Sequence, residues 1–219
     1  MNMPATTEAP LFEACRAIYS DVQRFYDEHP VRIGGEDLGF RVLYSPPLPR
    51  PEILFLGFQP GGRLGEALES QRLGHREGWP TFSDYATADW LLARRMRSIW
   101  PIDVINRSVG MNAIFFRAPS IKDWNSLPAV VRLAAEEFSA RHVAGLIQLL
   151  SPRRIVVIGL GTFDRLTHGE ALVRGYRKQV LIKEGRLWGR PAYGVVHLSG
   201  ARIAREDLNT IRSYFASFG

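Results

Sequence analysis

Two amides and one imidazole, Gln59, Asn112 and His197, each fall beside a short apolar run. They stand in the segments Gly57-Phe58-Gln59-Pro60-Gly61-Gly62, Met111-Asn112 and His197-Leu198-Ser199-Gly200-Ala201-Arg202. A side-chain amide offers an acceptor and a donor at once, and an imidazole offers one of each when neutral. The amide of Gln59 cannot accept a proton as a general base, although its carbonyl can orient a water. Each feature also has a plainer reading: the proline and glycines as a turn, Asn112 as a strand cap, His197 as a satisfied core histidine. Two nucleotide motifs are matched only weakly, each lacking a part. Gly159-Leu160-Gly161 lacks the third glycine of a dinucleotide fingerprint, and Gly57 to Glu66 lacks the Gly-Lys-Ser/Thr ending of a P-loop.

These residues need a frame that brings distant segments together. Four apolar runs read as buried strands: Ile53 to Gly57, Ala113 to Phe116, Ile155 to Leu160 and Tyr193 to Leu198. Helical patterns separate them, over about 88–100, 128–150, a short stretch after Thr162, and 203–215. An amphipathic helix over about 8–28 ends at His29-Pro30, and Arg41 to Ser45 offers a further short strand before a proline-rich approach. Strands alternating with helices predict an α/β fold, a three-layer α/β/α sandwich around a central, largely parallel four-stranded sheet. One domain over 1–219 is expected, with a motif-bearing core of about 51–204. Ligands in such sheets bind beyond the carboxyl ends of the strands, where the amides and the imidazole fall.

Composition narrows the partners. Twenty-eight Lys and Arg against 22 Asp and Glu give a net charge of +6. That balance suits a polyanion, because neutralised phosphates release counterions, and it equally suits a merely basic soluble protein. The single cysteine, Cys15, excludes an internal disulfide and a four-thiolate iron-sulfur cluster, and it falls on an apolar stripe with Leu11, Ile18, Val22 and Phe25. Five scattered histidines show no ligand spacing, so no metal or other cofactor is expected. No apolar stretch reaches the length of a membrane span, and a cytoplasmic monomer is expected.

In order, ILFLGFQPGG, MNAIFFRAP and HLSGAR resemble the first motif, the base-reading asparagine strand and the second motif of the uracil-DNA glycosylase superfamily. The resemblance covers about Pro51 to Ala204. It implies DNA as partner and hydrolysis of the N-glycosidic bond of uracil or a related deaminated base, flipped out of the stack. Asn112 would read the base, accepting from N3–H while donating to O4, a pattern cytosine reverses. His197 would donate toward O2 of the departing base, and Gln59 would position water. Backbone amides near Phe58 and Gly61 would line the pocket. Ser199 and Gly200 would hold a backbone phosphate, and Arg202 would brace the gap left by the flipped nucleotide or serve only as an exposed helix-start charge. Phe82 or Trp79 would stack on the base, with Phe82 preferred. Asn112 and His197 are expected on adjacent parallel strands, converging with Gln59.

The first motif departs from the family. The residue matching Gln59 is an aspartate in the most active branch and an asparagine in the branch acting on mismatches. Three readings follow: a monofunctional glycosylase, a catalytically weak or inactive nucleic-acid or base-binding protein on the same fold, and an unrelated α/β enzyme using Gly61-Gly62 for a phosphorylated small molecule.

Overall fold

A computed structural model describes residues 8–62, 79–199 and 202–216. Gly200 lies outside them. Helix α1 (Glu8–Glu28) is followed by a two-residue ribbon of β1 (Arg32–Ile33) and β2 (Glu36–Asp37), then by β3 (Ile53–Gly57). Three short helices follow, α2 (Asp84–Thr87), α3 (Leu91–Ile99) and α4 (Ile102–Asn106), leading into β4 (Val109–Asn112). Beyond it come α5 (Ile121–Asn125), the long α6 (Ala129–Leu150), β5 (Arg154–Ile158) and α7 (Leu160–Leu166). The chain closes with β6 (Gly169–Arg174), β7 (Val180–Leu187), β8 (Arg190–Val195) and α8 (Arg205–Ala216).

The main sheet has six strands in the order β4-β3-β5-β8-β7-β6. β4, β3, β5 and β8 run parallel, while β7 and β6 continue the sheet antiparallel. The expected four-stranded, largely parallel sheet is therefore corrected to a six-stranded mixed one. The added strands carry little buried apolar sequence: β7 has only Leu181, Ile182 and Leu187 buried, and along β6 residues 170–172 and Arg174 are all exposed, so a pattern search for buried strands passes over them. The β6–β7 pairing also shifts register between Ala171 and Arg174.

Alternation along the parallel strands builds two separate cores. Leu54 and Leu56 of β3 and Ile155 and Val157 of β5 pack with α1 and α6. Ile53, Phe55, Val156 and Ile158 face the other way, against Met96 and Ile99 of α3 and Ile211 and Phe215 of α8. This is the period of two expected of strands covered on both faces. Each such fully buried side chain contributes about 1.5–3 kcal/mol. Cys15 is fully buried within the first core, and burial pushes its thiol pKa up to about 11.

The second expected strand is displaced. The strand is Val109–Asn112 and stops where the apolar run Ala113 to Phe116 begins. Gly110 breaks the apolar pattern of the true strand, while Ile114, Phe115 and Phe116 are buried as an irregular segment. Asn112 therefore ends its strand instead of preceding it. The segment 40–44 makes only isolated bridges, Phe40 to Phe116 and Leu43 to Met111, and runs along the outer edge of β4. Arg41 N–H and Tyr44 N–H donate to the carbonyls of Phe115 and Gly110.

Candidate functional site

A cleft of about 1000 Å³ opens at the carboxyl ends of the parallel strands. Gln59 follows β3, Asn112 closes β4 and His197 follows β8, and all three line it. β3 and β5 stand between β4 and β8, so Asn112 and His197 are not on adjacent strands as expected. They reach one cleft from opposite sides of the β3–β5 pair.

Asn112 is 4% exposed, and its Nδ2 donates to the Tyr44 hydroxyl at 3.1 Å. Its Oδ1 lies over Gly57, its register partner on β3, where a Cβ would stand only 2.1 Å away. The amide is thus held at both ends: a hydroxyl fixes the nitrogen, and the bare Cα of Gly57 makes room for the oxygen. Tyr44 is itself supported by a stack on Tyr85, centroids 5.5 Å apart and planes 16° from parallel. Trp90 meets it edge-on at 6.2 Å. Burial raises the Tyr44 pKa, so the ring keeps its proton.

Gln59 is oriented by carbonyls. Its Nε2 donates to Ala118 O and Ser120 O, both at 3.2 Å, which spends the amide hydrogens and leaves Oε1 as the acceptor. Among the described residues Oε1 is buried with no hydrogen-bond partner. The loop carrying Gln59 is clasped to the segment after β4: Ala113 N–H donates to Gly57 O, Ile114 N–H to Phe58 O, and Ala118 N–H to Pro60 O. Phe58 and Gly61 line the cleft; Arg165 stands 4.9 Å from the Phe58 ring centre and Arg117 donates to Gly61 O at 2.6 Å.

His197 Nδ1 accepts from the Ser199 backbone N–H at 3.3 Å, with Ser199 Oγ at the same distance. An accepting Nδ1 places the proton of the neutral ring on Nε2. The ring edge is open to the cleft, yet the protein around it removes enough water to lower the imidazole pKa, which favours that neutral form. Gly159 shapes this corner. Its φ of +111° suits glycine, and a Cβ there would stand 3.2 Å from His197 Cδ2.

The remaining expected residues divide. Ser199 lines the cleft. Arg202 is exposed just before α8 and is not among the lining residues. Phe82 is 70% exposed and also stands outside the lining, and Trp79 packs edge-on against Phe12 and Tyr19. The structure therefore does not bring Phe82 to Asn112; the aromatic rings at that wall are Tyr44, Tyr85 and Trp90. Sequence reasoning missed all three, and also missed Arg41 and Asp84, paired at 2.6 Å inside the cleft. Burial raises the Asp84 pKa, with Arg41 and Arg117 opposing the shift. The available signal was the Arg41 to Ser45 segment, whose backbone bonds to the Phe115 and Gly110 carbonyls bring Arg41 and Tyr44 to the cleft once that pairing is known.

Among the described residues no cluster of His, Cys, Asp and Glu has a metal-binding arrangement, and no helix is long and apolar enough to cross a membrane. The cleft's chemistry is that of oriented neutral amides, an imidazole and the Arg41–Asp84 ion pair with Arg117 beside it. It can recognise a flat ring bearing paired donors and acceptors, hold a water and place a donor over developing negative charge. No protein-family model matches the chain, and no curated protein matches it in sequence.

Proposed function

We propose that this protein is a monofunctional DNA glycosylase of the uracil-DNA glycosylase superfamily and fold, acting as a monomer on uracil or a related deaminated base in DNA. The observation that carries the reading is the convergence of Asn112, Gln59 and His197 on one cleft at the carboxyl ends of parallel strands. In this reading Asn112 Oδ1 accepts from N3–H of the flipped base, and its second Nδ2 hydrogen donates to O4. The C1′–N1 bond breaks with its electron pair leaving on the base, and His197 Nε2–H donates to O2, where that charge collects. Water held by Gln59 Oε1 attacks C1′ and loses its proton to solvent or to the departing base, since the amide cannot take it. Ser199, Gly200 and Arg202 contact the DNA backbone.

A binding-only role on the same fold has one observation in its favour. Gln59 offers no proton acceptor of useful basicity, and the cleft's carboxylate, Asp84, is tied to Arg41. A panel of single-stranded and duplex oligonucleotides carrying uracil or other deaminated bases, assayed for abasic sites, separates the two. Release of uracil that Asn112→Ala abolishes is expected. DNA binding without release from any lesion would sink the enzymatic reading and leave the binding one.

A further inference from the structure

The antiparallel extension carries a basic turn to the edge of the sheet where the cleft opens. β8 runs parallel to β5 toward His197, and β7 returns beside it, with Ile182 opposite Val195 and Leu187 opposite Arg190. The start of β7 therefore lies at the cleft edge, and so does the turn 175–179 that joins it to β6, where Arg174 pairs with Val180. The segment reads Arg174-Gly175-Tyr176-Arg177-Lys178-Gln179, three cations with no acid.

Its backbone is firmly held. Gly175 N–H donates to Gln179 O and Lys178 N–H to Gly175 O, each at 2.8 Å. Asp207 of α8, 2% exposed, accepts from Tyr176 N–H at 3.2 Å and from Gln179 Nε2 at 2.6 Å. Gly175 passes so close to this carboxylate that a Cβ would fall 2.2 Å from Oδ1. The one acid beneath the turn is thus consumed in anchoring it, while the side chains of Tyr176, Arg177 and Lys178 face solvent. Tyr176 is 58% exposed and has the Arg177 guanidinium 5.1 Å from its ring centre. A turn with its backbone already ordered and two exposed cations suits a nucleic-acid backbone, with less backbone entropy to lose on contact than a mobile loop.

We propose that this turn is a DNA-backbone contact that lays the strand across the sheet edge toward the cleft, with Arg177 and Lys178 each meeting a phosphate. The proposal rests on the DNA-directed reading of the cleft. It is tested with undamaged fluorescent DNA, single-stranded and duplex, titrated from 50 to 200 mM salt against wild type, Arg177→Ala/Lys178→Ala, and a control, Arg16→Ala/Arg24→Ala, that removes the same charge from α1. Unchanged melting temperatures establish that the variants are folded. Each phosphate contact contributes about 0.9 to the slope of log affinity against log salt on duplex and about 0.7 on a single strand, so the turn variant should bind more weakly with a slope smaller by about 1.8 on duplex and about 1.4 on single strands. Its deficit should shrink by about tenfold across that salt range, while the control keeps the wild-type slope. A turn variant with wild-type affinity and slope, or a control equally impaired, overturns the turn proposal and leaves the cleft reading standing. A wild type that binds no DNA overturns both.

Discussion

Gly57→Ala probes the arrangement that fixes Asn112. The added Cβ would stand 2.1 Å from Asn112 Oδ1 and 3.3 Å from its Cγ, with the next atom, Met111 O, at 3.9 Å. Carbon contacts settle at about 3.5 Å or more, so the amide must retreat by about 1.4 Å. Parting the strands to relieve this would break the β3–β4 pairing and the bond from Tyr44 N–H to Gly110 O on the outer side of β4. Overpacking of this kind costs about 1–3 kcal/mol, and losing the Asn112–Tyr44 hydrogen bond adds about 1 kcal/mol. Reduced freedom of the unfolded chain returns about 0.4–1 kcal/mol, leaving a net loss of about 2 kcal/mol. In an Asn112→Ala background both close atoms are gone, so Gly57→Ala should be neutral or slightly stabilising. The coupling energy from a double-mutant cycle, read from urea midpoints at constant slope, is then about 2 kcal/mol. Equal costs of Gly57→Ala in the two backgrounds would refute the account of how the amide is held, whatever the protein binds.

Gln59→Ala should slow single-turnover base release while leaving DNA affinity nearly unchanged, because the lost water contact belongs to the transition state. Gln59→Glu, isosteric but anionic, sets a carboxylate against the Ala118 and Ser120 carbonyls and should cost about 1–3 kcal/mol of stability at neutral pH, measured by denaturation. Tyr44→Phe should loosen the Asn112 amide and reduce uracil-over-cytosine discrimination by about fivefold, whereas Phe82→Ala should leave it unchanged in the same competition assay. Because the His197 pKa is lowered in the folded state, the folded protein binds fewer protons than the unfolded chain just below pH 6.5 or so. Stability should fall as pH drops from about 6.5 to the lower folded value and level off beneath it, and His197→Gln should flatten that part of the profile in pH-dependent melts.

The two central parallel strands, β3 and β5, were legible because they are buried on both faces and so write themselves as apolar runs, Ile53–Gly57 matching to the residue, whereas β4 and β8 begin before the runs expected for them. α6 was readable for the same reason at helical spacing, Ala129–Leu150 against an expected 128–150. β6 and β7 were not, since a half-exposed edge ribbon rich in charge has no such signature. At the cleft, Gln59, Asn112 and His197 were visible through their position beside or within apolar runs. Tyr44 was hidden because its role depends on a pairing between segments 66 residues apart, Tyr44 N–H to Gly110 O, that no local pattern encodes. Phe82 stands outside the cleft lining; its place in the sequence says nothing about which way the ring turns.

The register shifts between Ala171 and Arg174 have a consequence for how copies of the chain meet one another. An outermost strand offers unpaired backbone groups on which a second molecule can template, and a straight strand would offer them in an unbroken row. Irregular pairing increases the local twist of β6 and carries its groups out of line, while the exposed Glu170 and Arg174 add charge to the same edge. At the opposite edge the 40–44 segment takes up the Gly110 carbonyl of β4. Both ends of the sheet are thereby blunted, one by distortion and the other by a covering stretch of chain, and fibre-like stacking of sheet on sheet has no flat border to begin from.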